Sequence, residues 1–480
     1  MRAEGVAVEE LARAGREVAD LVADHLDTVG GRRVWGPLDA ADRAWLTDQP
    51  LPVEGRSLTE LVQDVRTRVM RYPMGNGHPR FFGWVNSPPS PAGVLVEPLA
   101  GALNPSCAGG EHAGSMLERS VVRWLAELVG FPHPPGGGLL TSGASMATIV
   151  CLAAARHRAA RRAGWDVREQ GLFGQAPLVL YQSEESHSCV LKAAELLGIG
   201  RRNVRTVPVN ARFAMDTAAL RATIADDIGQ GLRPFCVCAS AGTVNTGAID
   251  ALDDIAAITD EFGLWFHVDG AYGALGVLAE QNRAAYAGLE RADSLALDPH
   301  KWLGVPVDCG CALVRDPTML RDAFSFVPPY LRDESADDLG WFSEYGIEQT
   351  RPFRALRAWA TMSHLGRDGI IRLVQHTTRL AHTLATMIEQ ADDFELLAPV
   401  SASITVFRHR PDPGGDAGRC DELNREIPAA VQHRGRVFFT GTTLAGQHAL
   451  RACFLNPATT EDDLMTLLDE IRAAAAQLTR

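Results

Sequence analysis

The amino-acid sequence predicts an α/β protein: a large domain with a mostly parallel, doubly wound sheet, an N-terminal helical segment and a small α+β C-terminal domain. Three observations carry this prediction. Short apolar runs alternate with helical patterns from about residue 91 to 365, and chemically active polar residues directly follow several of these runs. The alternation then stops. The expected divisions are therefore residues 1–90, 91–365 and 366–480.

The first division is expected to be helical and extended. Between about residues 6 and 29, apolar side chains recur with helical spacing on one face: Val18, Leu21, Val22 and Leu26. Such a face needs a partner surface. The Pro- and Gly-rich run from Tyr72 to Pro79 indicates a loop.

The second division contains the apolar runs that predict strands. They are Leu178–Tyr181, Val204–Val207, Phe235–Ala239, Trp265–Val268, Ser294–Ala296 and Gly310–Val314. Strands that alternate with helices indicate a mostly parallel sheet covered on both faces. Within Phe235–Ala239, the alternation of side chains along a strand points the thiols of Cys236 and Cys238 to the same face.

The third division has a different rhythm and predicts a small α+β domain. Its expected elements are a long helix (Ile370–Glu389), a strand (Ala402–Phe407), a further helix, a strand pair (around Val437–Phe439 and Leu450–Phe454) and a final helix. Thr460 and Asp463 resemble a capping box at the start of that last helix.

Composition argues against several classes of function. The formal net charge is −13, from 46 basic and 59 acidic residues, which disfavours an electrostatic surface for nucleic acids or anionic membranes. No run is apolar and long enough to cross a bilayer, and the first 26 residues lack the apolar core of a signal peptide. The nine cysteines include no C-x-x-C pair, which fits a reducing compartment. The expected location is the cytoplasm.

Lysine is nearly absent from the chain. Only Lys192 and Lys301 occur among the 46 basic residues, so the other 44 are arginines. Arginine replaces lysine on a solvated surface, but it cannot replace an amine that must lose a proton and attack a carbonyl group. The scarcity makes each lysine a candidate for such chemistry, with chance retention as the alternative.

Lys301 lies in the segment Leu297–Leu303, which reads Leu-Asp-Pro-His-Lys-Trp-Leu and follows the apolar run Ser294–Ala296. Ligands of α/β proteins bind beyond the carboxyl ends of parallel strands. A lysine here can also simply extend from a loop into solvent, and the segment alone does not exclude that. The scarcity of lysine and a second motif favour a chemical role.

The second motif is Phe266–Gly273, an apolar strand that ends in Asp269 and continues with small residues. A carboxylate at such a strand end is suited to hold a buried cation, and the small residues let a ligand approach the backbone. The alternatives are a helix cap and a metal ligand. No second ligand lies at a suitable spacing, so we expect no metal site.

Three further strand ends carry candidate residues. The turn Leu140–Thr148 places small and hydroxyl residues before an Ala-rich helix, a pattern that suits phosphate binding and also ordinary helix capping. His187 follows the strand at Leu178–Tyr181, and Thr243 follows the strand at Phe235–Ala239. A histidine in that position is suited to proton exchange beside a ligand, or it is an ordinary loop residue.

In this order of strand-end residues, the sequence resembles the group II pyridoxal-phosphate-dependent amino-acid decarboxylases, most of all aromatic-L-amino-acid decarboxylase. The resemblance begins near His78 and rests chiefly on His-Val-Asp-x-Ala at His267–Ala271 and on Pro-His-Lys-Trp at Pro299–Trp302. It implies pyridoxal 5′-phosphate as cofactor and the fold of the type I pyridoxal enzymes. It also implies decarboxylation of an L-amino acid to the amine and CO₂ by a homodimer with active sites at its interface.

The same resemblance implies a role for each matching residue. Lys301 forms the Schiff base with the cofactor, Asp269 pairs with its pyridinium nitrogen, and His187 stacks on its ring. Tyr330 falls where the family keeps a mobile-loop tyrosine that donates a proton in the reaction. The residues implied around the phosphate and the ring are Ala144, Ser145, Ser294, His300, Thr243 and Ala271, with Thr350 reaching the phosphate across the dimer interface.

Two departures from the family leave the substrate open. Asp298 stands where the aromatic decarboxylases usually have Asn, and the expected substrate-pocket segment, with Phe82 and Trp84, differs from that of the animal enzymes. Aromatic substrates lead by resemblance, with aliphatic and acidic ones open. One rival function is an aldehyde synthase or aminotransferase on the same fold, which Tyr330 disfavours because aldehyde-forming relatives typically carry Phe there. A catalytically silent pyridoxal-binding protein is the other.

Overall fold

A computed structural model describes residues 7–326 and 339–479. Its N-terminal part is helical, and the first helix buries only Ala14. The helices before the first strand are α1 (Val8–Thr28), α2 (Ala40–Thr47), α3 (Leu58–Asp64), α4 (Pro91–Leu103) and α5 (Ala113–Val129). Within the two described ranges, no helix combines the length and apolar character that crossing a membrane requires.

Seven strands of the described chain form the large sheet. They are β1 (Gly138–Thr141), β2 (Leu178–Ser183), β3 (Val204–Val207), β4 (Arg233–Ser240), β5 (Trp265–Asp269), β6 (Ser294–Leu297) and β7 (Gly310–Val314). Their order is β1-β7-β6-β5-β4-β2-β3. Strand β7 runs antiparallel to β1 and β6, and the remaining pairs are parallel. The mostly parallel sheet predicted from the sequence is confirmed.

Helices cover both faces of this sheet, as the doubly wound prediction requires. The helices that follow its strands are α6 (Ala144–Arg162), α7 (Val167–Gln170), α8 (Cys189–Leu196), α9 (Thr217–Gly229), α10 (Leu252–Phe262) and α11 (Thr318–Phe324). In β4, Val237 and Ala239 pack into one apolar core, whereas Cys236 and Cys238 pack into another. The two thiols lie 3.9 Å apart on one face, as expected from the alternation.

The C-terminal part forms a four-stranded antiparallel sheet with its own apolar core. Its elements are α12 (Arg354–Glu389), β8 (Phe394–Leu396), β9 (Ile404–His409), α13 (Ala417–Arg434), β10 (Thr440–Leu444), β11 (Gln447–Cys453) and α14 (Glu461–Leu478). The strand order is β10-β11-β9-β8. Helix α14 begins with the capping box predicted from Thr460 and Asp463.

The strand expected at Val437–Phe439 is not part of this sheet, because β10 begins only at Thr440. Phe438 instead pairs with Phe81 through a single parallel bridge, and their rings stack with centroids 4.8 Å apart. The N-terminal segment therefore takes the hydrogen bonds that a longer β10 would have used. Strands β1 and β8, of four and three residues, were not predicted.

Helix α12 begins at Arg354 instead of near Ile370, and it is bent at Gly366. Gly366 has a φ of 63°, which residues with a side chain rarely adopt. The part before the bend packs against α4 and α5, and the part after it packs against β8 and β9. One bent helix therefore joins the layers of both sheets.

Candidate active site

The segments that follow the parallel strands meet at one edge of the large sheet, because parallel strands all end at the same edge. Strand β1 ends at this edge and β7 begins there, with Thr141 as the register partner of Gly310. Strand β5 ends there in Asp269, and the backbone N–H of Asp298, directly after β6, donates to the carbonyl oxygen of Ala271 at 3.1 Å. The candidate residues after these strands are therefore brought together.

Lys301 lies in a turn three residues beyond Asp298, and its Nζ is 2.9 Å from Asp298 Oδ2. Nε2 of His300 lies 3.7 Å from the same oxygen. The backbone N–H of Cys309 donates to His300 Nδ1 at 3.1 Å and so orients the ring. The second lysine, Lys192, is exposed on α8. Only one of the two lysines therefore belongs to this site.

The N-terminus of helix α6 faces the lysine turn. The backbone N–H of Ala144 donates to Asp298 Oδ1 at 2.6 Å, and the preceding Gly143 offers no side chain to cap the helix. Ser145 is exposed in the first turn. Strand β7 can approach so closely because a Cβ at Gly310 would lie only 2.5 Å from the backbone of Gly143. Backbone N–H groups at a helix N-terminus favour an anion, so this terminus is suited to a phosphate.

Asp269 is a buried carboxylate, 9% exposed, at the end of β5. The backbone N–H of Ala271 donates to its Oδ1 at 3.1 Å, and the thiol of Cys189 donates to its Oδ2 with an S···O distance of 3.6 Å. In the ranges that the structure describes, no lysine, arginine or histidine forms an ion pair with Asp269. A buried carboxylate is unfavourable without a positive partner, so this position fits a cationic group of a ligand.

His187 lies beside Asp269 and Cys189, and the potential ligand atoms of the three side chains are within 4.8 Å of one another. His187 is exposed, and its Nδ1 accepts the backbone N–H of Cys189 at 3.2 Å. Burial and the charge of Asp269 raise the pKa of the Cys189 thiol, so the thiol stays protonated and donates. Spacing along the chain did not show that these strand ends meet, and the expectation that Asp269 belongs to no metal site stays a prediction.

Thr243 and Ala271 lie in neighbouring strand-end loops. The backbone N–H of Ala241 donates to the carbonyl oxygen of Asp269 at 2.9 Å, and the buried Thr243 hydroxyl lies 3.0 Å from that of Thr246. The two loops pack closely because glycines meet between them: a Cβ at Gly242 would lie 2.8 Å from Gly273 Cα. This close packing brings the Thr243 loop beside Asp269.

Ser294 does not lie with the other candidates. It begins β6, at the opposite end of the strand from Lys301, and it is fully buried. Its Oγ accepts the indole N–H of Trp265 at 2.7 Å and lies 2.8 Å from His267 Nδ1. The expected contact with a phosphate is therefore wrong for Ser294, whose hydroxyl instead satisfies two buried polar groups of β5.

Only one of the two expected substrate-pocket residues is accessible. Phe82 is 1% exposed and packs in the core of the four-stranded sheet, with its ring centroid 5.1 Å from that of Phe454. Its expected place in a substrate pocket is therefore wrong. Trp84 is 48% exposed, and its ring centroid lies 5.2 Å from that of Phe438.

The two residues expected to act at the dimer interface, Thr350 and Tyr330, both stay predictions. Thr350 is exposed and directly precedes Arg351, which is buried. Its predicted contact concerns a second subunit, so it stays a prediction. Tyr330 lies outside the described residues.

Ser87 contacts the turn that carries Lys301, but it was not predicted from the sequence. Its hydroxyl donates to the carbonyl oxygen of His300 at 3.3 Å, and the backbone N–H of Ser90 donates to that of Gly304 at 2.6 Å. Ser87 and His300 line a cavity of about 420 Å³ that also reaches Arg33 in the N-terminal segment. The only signal in the sequence was a Pro- and Ser-rich loop.

Arg451 was also missed, because it lies in an otherwise ordinary apolar strand. It is buried in β11, where its Nη1 donates to the carbonyl oxygen of Trp84 at 2.8 Å and its Nε to that of Val244 at 2.7 Å. One guanidinium thus ties the accessible tryptophan to the loop that carries Thr243.

Comparison with known proteins identifies the family. Residues 41–410 match the family model described as pyridoxal-dependent decarboxylase conserved domain. An aromatic-L-amino-acid decarboxylase from Bacillus atrophaeus is 30% identical over 98% of this chain and 97% of its own length. A histidine decarboxylase from Drosophila melanogaster is 34% identical over 98% of this chain, which spans 55% of that protein.

Among solved structures, Catharanthus roseus tryptophan decarboxylase in complex with L-tryptophan has a TM-score of 0.87 and 27% identity. The match covers 99% of this chain and 100% of that chain. Such agreement over both chains shows that the two proteins share one fold.

The residues at the strand ends fit pyridoxal 5′-phosphate. Lys301 offers an amine for its aldehyde carbon, the buried Asp269 offers an unpaired charge for its ring nitrogen, and the first turn of α6 suits its phosphate. The chain belongs to the pyridoxal-dependent decarboxylase family and is a pyridoxal-phosphate-dependent amino-acid decarboxylase.

Proposed function

We propose that this enzyme decarboxylates an L-amino acid with an aromatic side chain and releases the amine and CO₂. The observation that carries the proposal is that Lys301 and the unpaired Asp269 lie at the ends of the neighbouring strands β6 and β5. Three relatives that act on ring-bearing amino acids support the aromatic substrate. The half-exposed Trp84 supports it as well, because its indole face suits a substrate ring.

Lys301 would hold the cofactor covalently, and the carboxylate of Asp269 would pair with its ring nitrogen and favour the protonated form. When bound, the cofactor supplies an electron sink for the pair of electrons left on the α-carbon as CO₂ departs. The thiol of Cys189 and the backbone N–H of Ala271 hold the Asp269 carboxylate in place. The exposed imidazole of His187 covers the ring.

The phosphate is bound at the N-terminus of α6. Ala144 and Ser145 contribute the first turn of the helix, and His300 contributes an imidazole oriented by the N–H of Cys309. Thr243 lines the ring side of the site from the loop after β4. These contacts would fix the cofactor in one orientation.

Tyr330 donates the proton that replaces CO₂ on the α-carbon. This role rests on the resemblance to decarboxylases, in which aldehyde-forming relatives typically carry Phe at this position. Tyr330→Phe is expected to retain cofactor and substrate binding but to lose amine formation, with aldehyde as the product. Product analysis by chromatography checks this, and an unchanged amine yield would contradict the proton-donor role.

The enzyme works as a cytoplasmic homodimer. Large apolar side chains are exposed along α4, at Leu95, Leu99 and Leu103, and such a row is typical of an interface between subunits. In this assembly Thr350 contacts the phosphate in the active site of the partner subunit. Sedimentation analysis of the full chain tests the assembly, and a monomeric active enzyme would contradict it.

A substrate panel tests the proposed reaction. Purified holoenzyme is incubated with L-DOPA, L-tyrosine, L-tryptophan, L-phenylalanine and L-histidine, and separately with L-glutamate and L-leucine. We expect amine and CO₂ in equal amounts. The kcat/KM for the best aromatic substrate should be at least about tenfold above the values for L-glutamate and L-leucine, because a pocket shaped for a ring discriminates by several contacts. A higher kcat/KM for glutamate or leucine would overturn the aromatic assignment.

The two lysines offer a matched test of the cofactor link. Borohydride reduction of the holoenzyme should fix the cofactor on the peptide that contains Lys301. Lys301→Arg should abolish this labelling, whereas Lys192→Arg, a change on the exposed face of α8, should leave it intact. Label on the Lys192 peptide would overturn the assignment.

A further inference from the structure

Asp298 places a carboxylate at the point where the proposed cofactor site needs a phosphate. The side chain is buried, with 6% exposure. Its Oδ1 accepts the N–H of Ala144, the first residue of α6, and its Oδ2 lies 2.9 Å from Lys301 Nζ. It therefore contacts both the helix terminus that would bind the cofactor's phosphate and the lysine that would bind its aldehyde.

We propose that the negative charge of Asp298, which lies between Lys301 and the N-terminus of α6, weakens binding of the cofactor phosphate. This inference rests on the proposed cofactor site. A phosphate monoester carries close to two negative charges at neutral pH. Two anions that share one helix terminus in a poorly hydrated site repel each other far more strongly than they would in water.

The contacts around Asp298 explain why its charge is tolerated before a phosphate arrives. The carboxylate has a helix N–H on one oxygen and the ammonium of Lys301 on the other, with His300 Nε2 at 3.7 Å. A phosphate at α6 competes for the same N–H groups and the same imidazole. Asp298 thus stabilises the arrangement of Lys301 and opposes the ligand that this arrangement receives.

The substitution Asp298→Asn tests the charge with almost no change in shape. The amide oxygen still accepts the Ala144 N–H, and the negative charge is gone. Holoenzyme of each form is dialysed free of cofactor, and dissociation constants are measured by titration with pyridoxal 5′-phosphate and with pyridoxal, which lacks the phosphate. We expect Asp298→Asn to bind pyridoxal 5′-phosphate about tenfold more tightly or better, and pyridoxal within about twofold of the wild type.

Inorganic phosphate provides a second probe of the same site. It should inhibit reloading with pyridoxal 5′-phosphate at a lower concentration in Asp298→Asn than in the wild type, because it competes for the helix terminus alone. Asp298→Ser also removes the charge and supplies a hydroxyl that can accept a helix N–H. This variant should likewise bind pyridoxal 5′-phosphate more tightly than the wild type.

Asp216→Asn is the matched control. Asp216 is also a carboxylate at a helix N-terminus, where it accepts the N–H groups of Ala218 and Ala219 at the start of α9. Asn caps a helix about as well as Asp, so this variant loses the same charge without loss of its cap. Its affinity for pyridoxal 5′-phosphate should match that of the wild type.

Two outcomes would overturn the inference. One is equal or weaker binding of pyridoxal 5′-phosphate by both folded neutral variants. The other is an equal gain for pyridoxal, which would place the effect at Lys301 instead of the phosphate. Either result leaves the proposed function intact as long as Lys301→Arg still abolishes the covalent link, so the two failures are distinguishable.

Discussion

Asp269 shows how one residue prepares the site for a charged ligand. Its carboxylate is buried at the end of β5, and its two described donors, the Cys189 thiol and the Ala271 N–H, carry no full charge. Neutral donors orient a carboxylate but only partly replace the water it has lost. The protein therefore carries an unfavourable charge that a cationic ligand relieves.

Asp269→Asn should separate stability from function. Without cofactor, the variant should be as stable as the wild type or more so, because it no longer buries an unpaired charge. With cofactor, turnover should fall at least about a hundredfold, since the loss of one partner of a buried ion pair costs about 3–5 kcal/mol. Thermal unfolding with and without cofactor, together with kcat, checks both parts. Wild-type turnover would show that another group serves the ring nitrogen.

Strand-end position explains which site residues the sequence could predict. Lys301, Asp269 and His187 follow parallel strands, and this alone brings them to one edge of the sheet. Ser294 was expected at the same edge of the sheet. It is the first residue of β6, however, and therefore lies at the opposite end of that strand from Lys301. Phe82 was misplaced for another reason: a loop sequence does not show which of two cores will bury a ring.

At the scale of elements, β5 and β6 are joined by a buried polar group as well as by their backbones. His267 in β5 is the register partner of Ser294 in β6, and its Nδ1 lies 2.8 Å from the Ser294 hydroxyl. Burial lowers the pKa of His267 to about 4. The imidazole is therefore neutral in the folded protein throughout the physiological range.

This lowered pKa predicts a loss of stability in acid. Between pH 6.5 and 4, the unfolded chain binds a proton at His267 and the folded protein does not, so the free energy of unfolding falls as pH falls. His267→Asn keeps a partner for Ser294 but does not titrate. From pH 7 to pH 4 the wild type should lose about 3 kcal/mol relative to this variant, as measured by urea unfolding.

The titration of Asp250 is the reason for comparing the wild type with His267→Asn instead of following the wild type alone. Burial raises its pKa to about 6, so Asp250 alone would make the folded protein more stable as pH falls over the same range. Both proteins contain Asp250, and its contribution cancels in the difference. A difference that stays constant between pH 7 and pH 4 would contradict the role assigned to His267.

A second link between elements is the ion pair of Glu118 in α5 with Arg351, just before α12. Both side chains are 1% exposed, with Arg351 Nη2 2.6 Å from Glu118 Oε1. Glu118 also accepts the N–H of Leu140 in β1 at 2.8 Å, and Arg351 donates to the carbonyl oxygen of Cys107 at 2.9 Å. One pair therefore joins a helix, a strand and a loop.

Glu118→Gln should lower the free energy of unfolding by about 3–5 kcal/mol, because it removes the buried counter-charge of Arg351. Glu348, with its Oε2 3.9 Å from Arg351 Nε, replaces that charge only in part. Glu127→Gln is the control on the same helix. Glu127 pairs with Arg123 across one exposed turn, and its loss should change stability by less than about 1 kcal/mol. If urea unfolding showed the same loss of unfolding free energy in both variants, the buried pair would contribute no more than the exposed one.

At the scale of the whole molecule, the large sheet could be predicted from the sequence, but the long-range contacts between the parts of the chain could not. Parallel strands are buried on both faces, so β4 and β5 consist mostly of apolar residues and stand out in the sequence. The shift of β10 depends on a partner almost 360 residues away, the bridge from Phe438 to Phe81. Contacts of that separation leave no periodic signal along the chain.

The same long-range joints set an order of events during synthesis. The residues proposed to bind the cofactor within one subunit lie between Ala144 and Lys301, and they leave the ribosome before Phe438 and Arg451 exist. Trp84 leaves earlier still, yet two of its contacts are with Arg451 and Phe438. A nascent chain can therefore assemble its cofactor site long before the wall beside Trp84 is in place. The proposed substrate wall is therefore expected to form after the cofactor site.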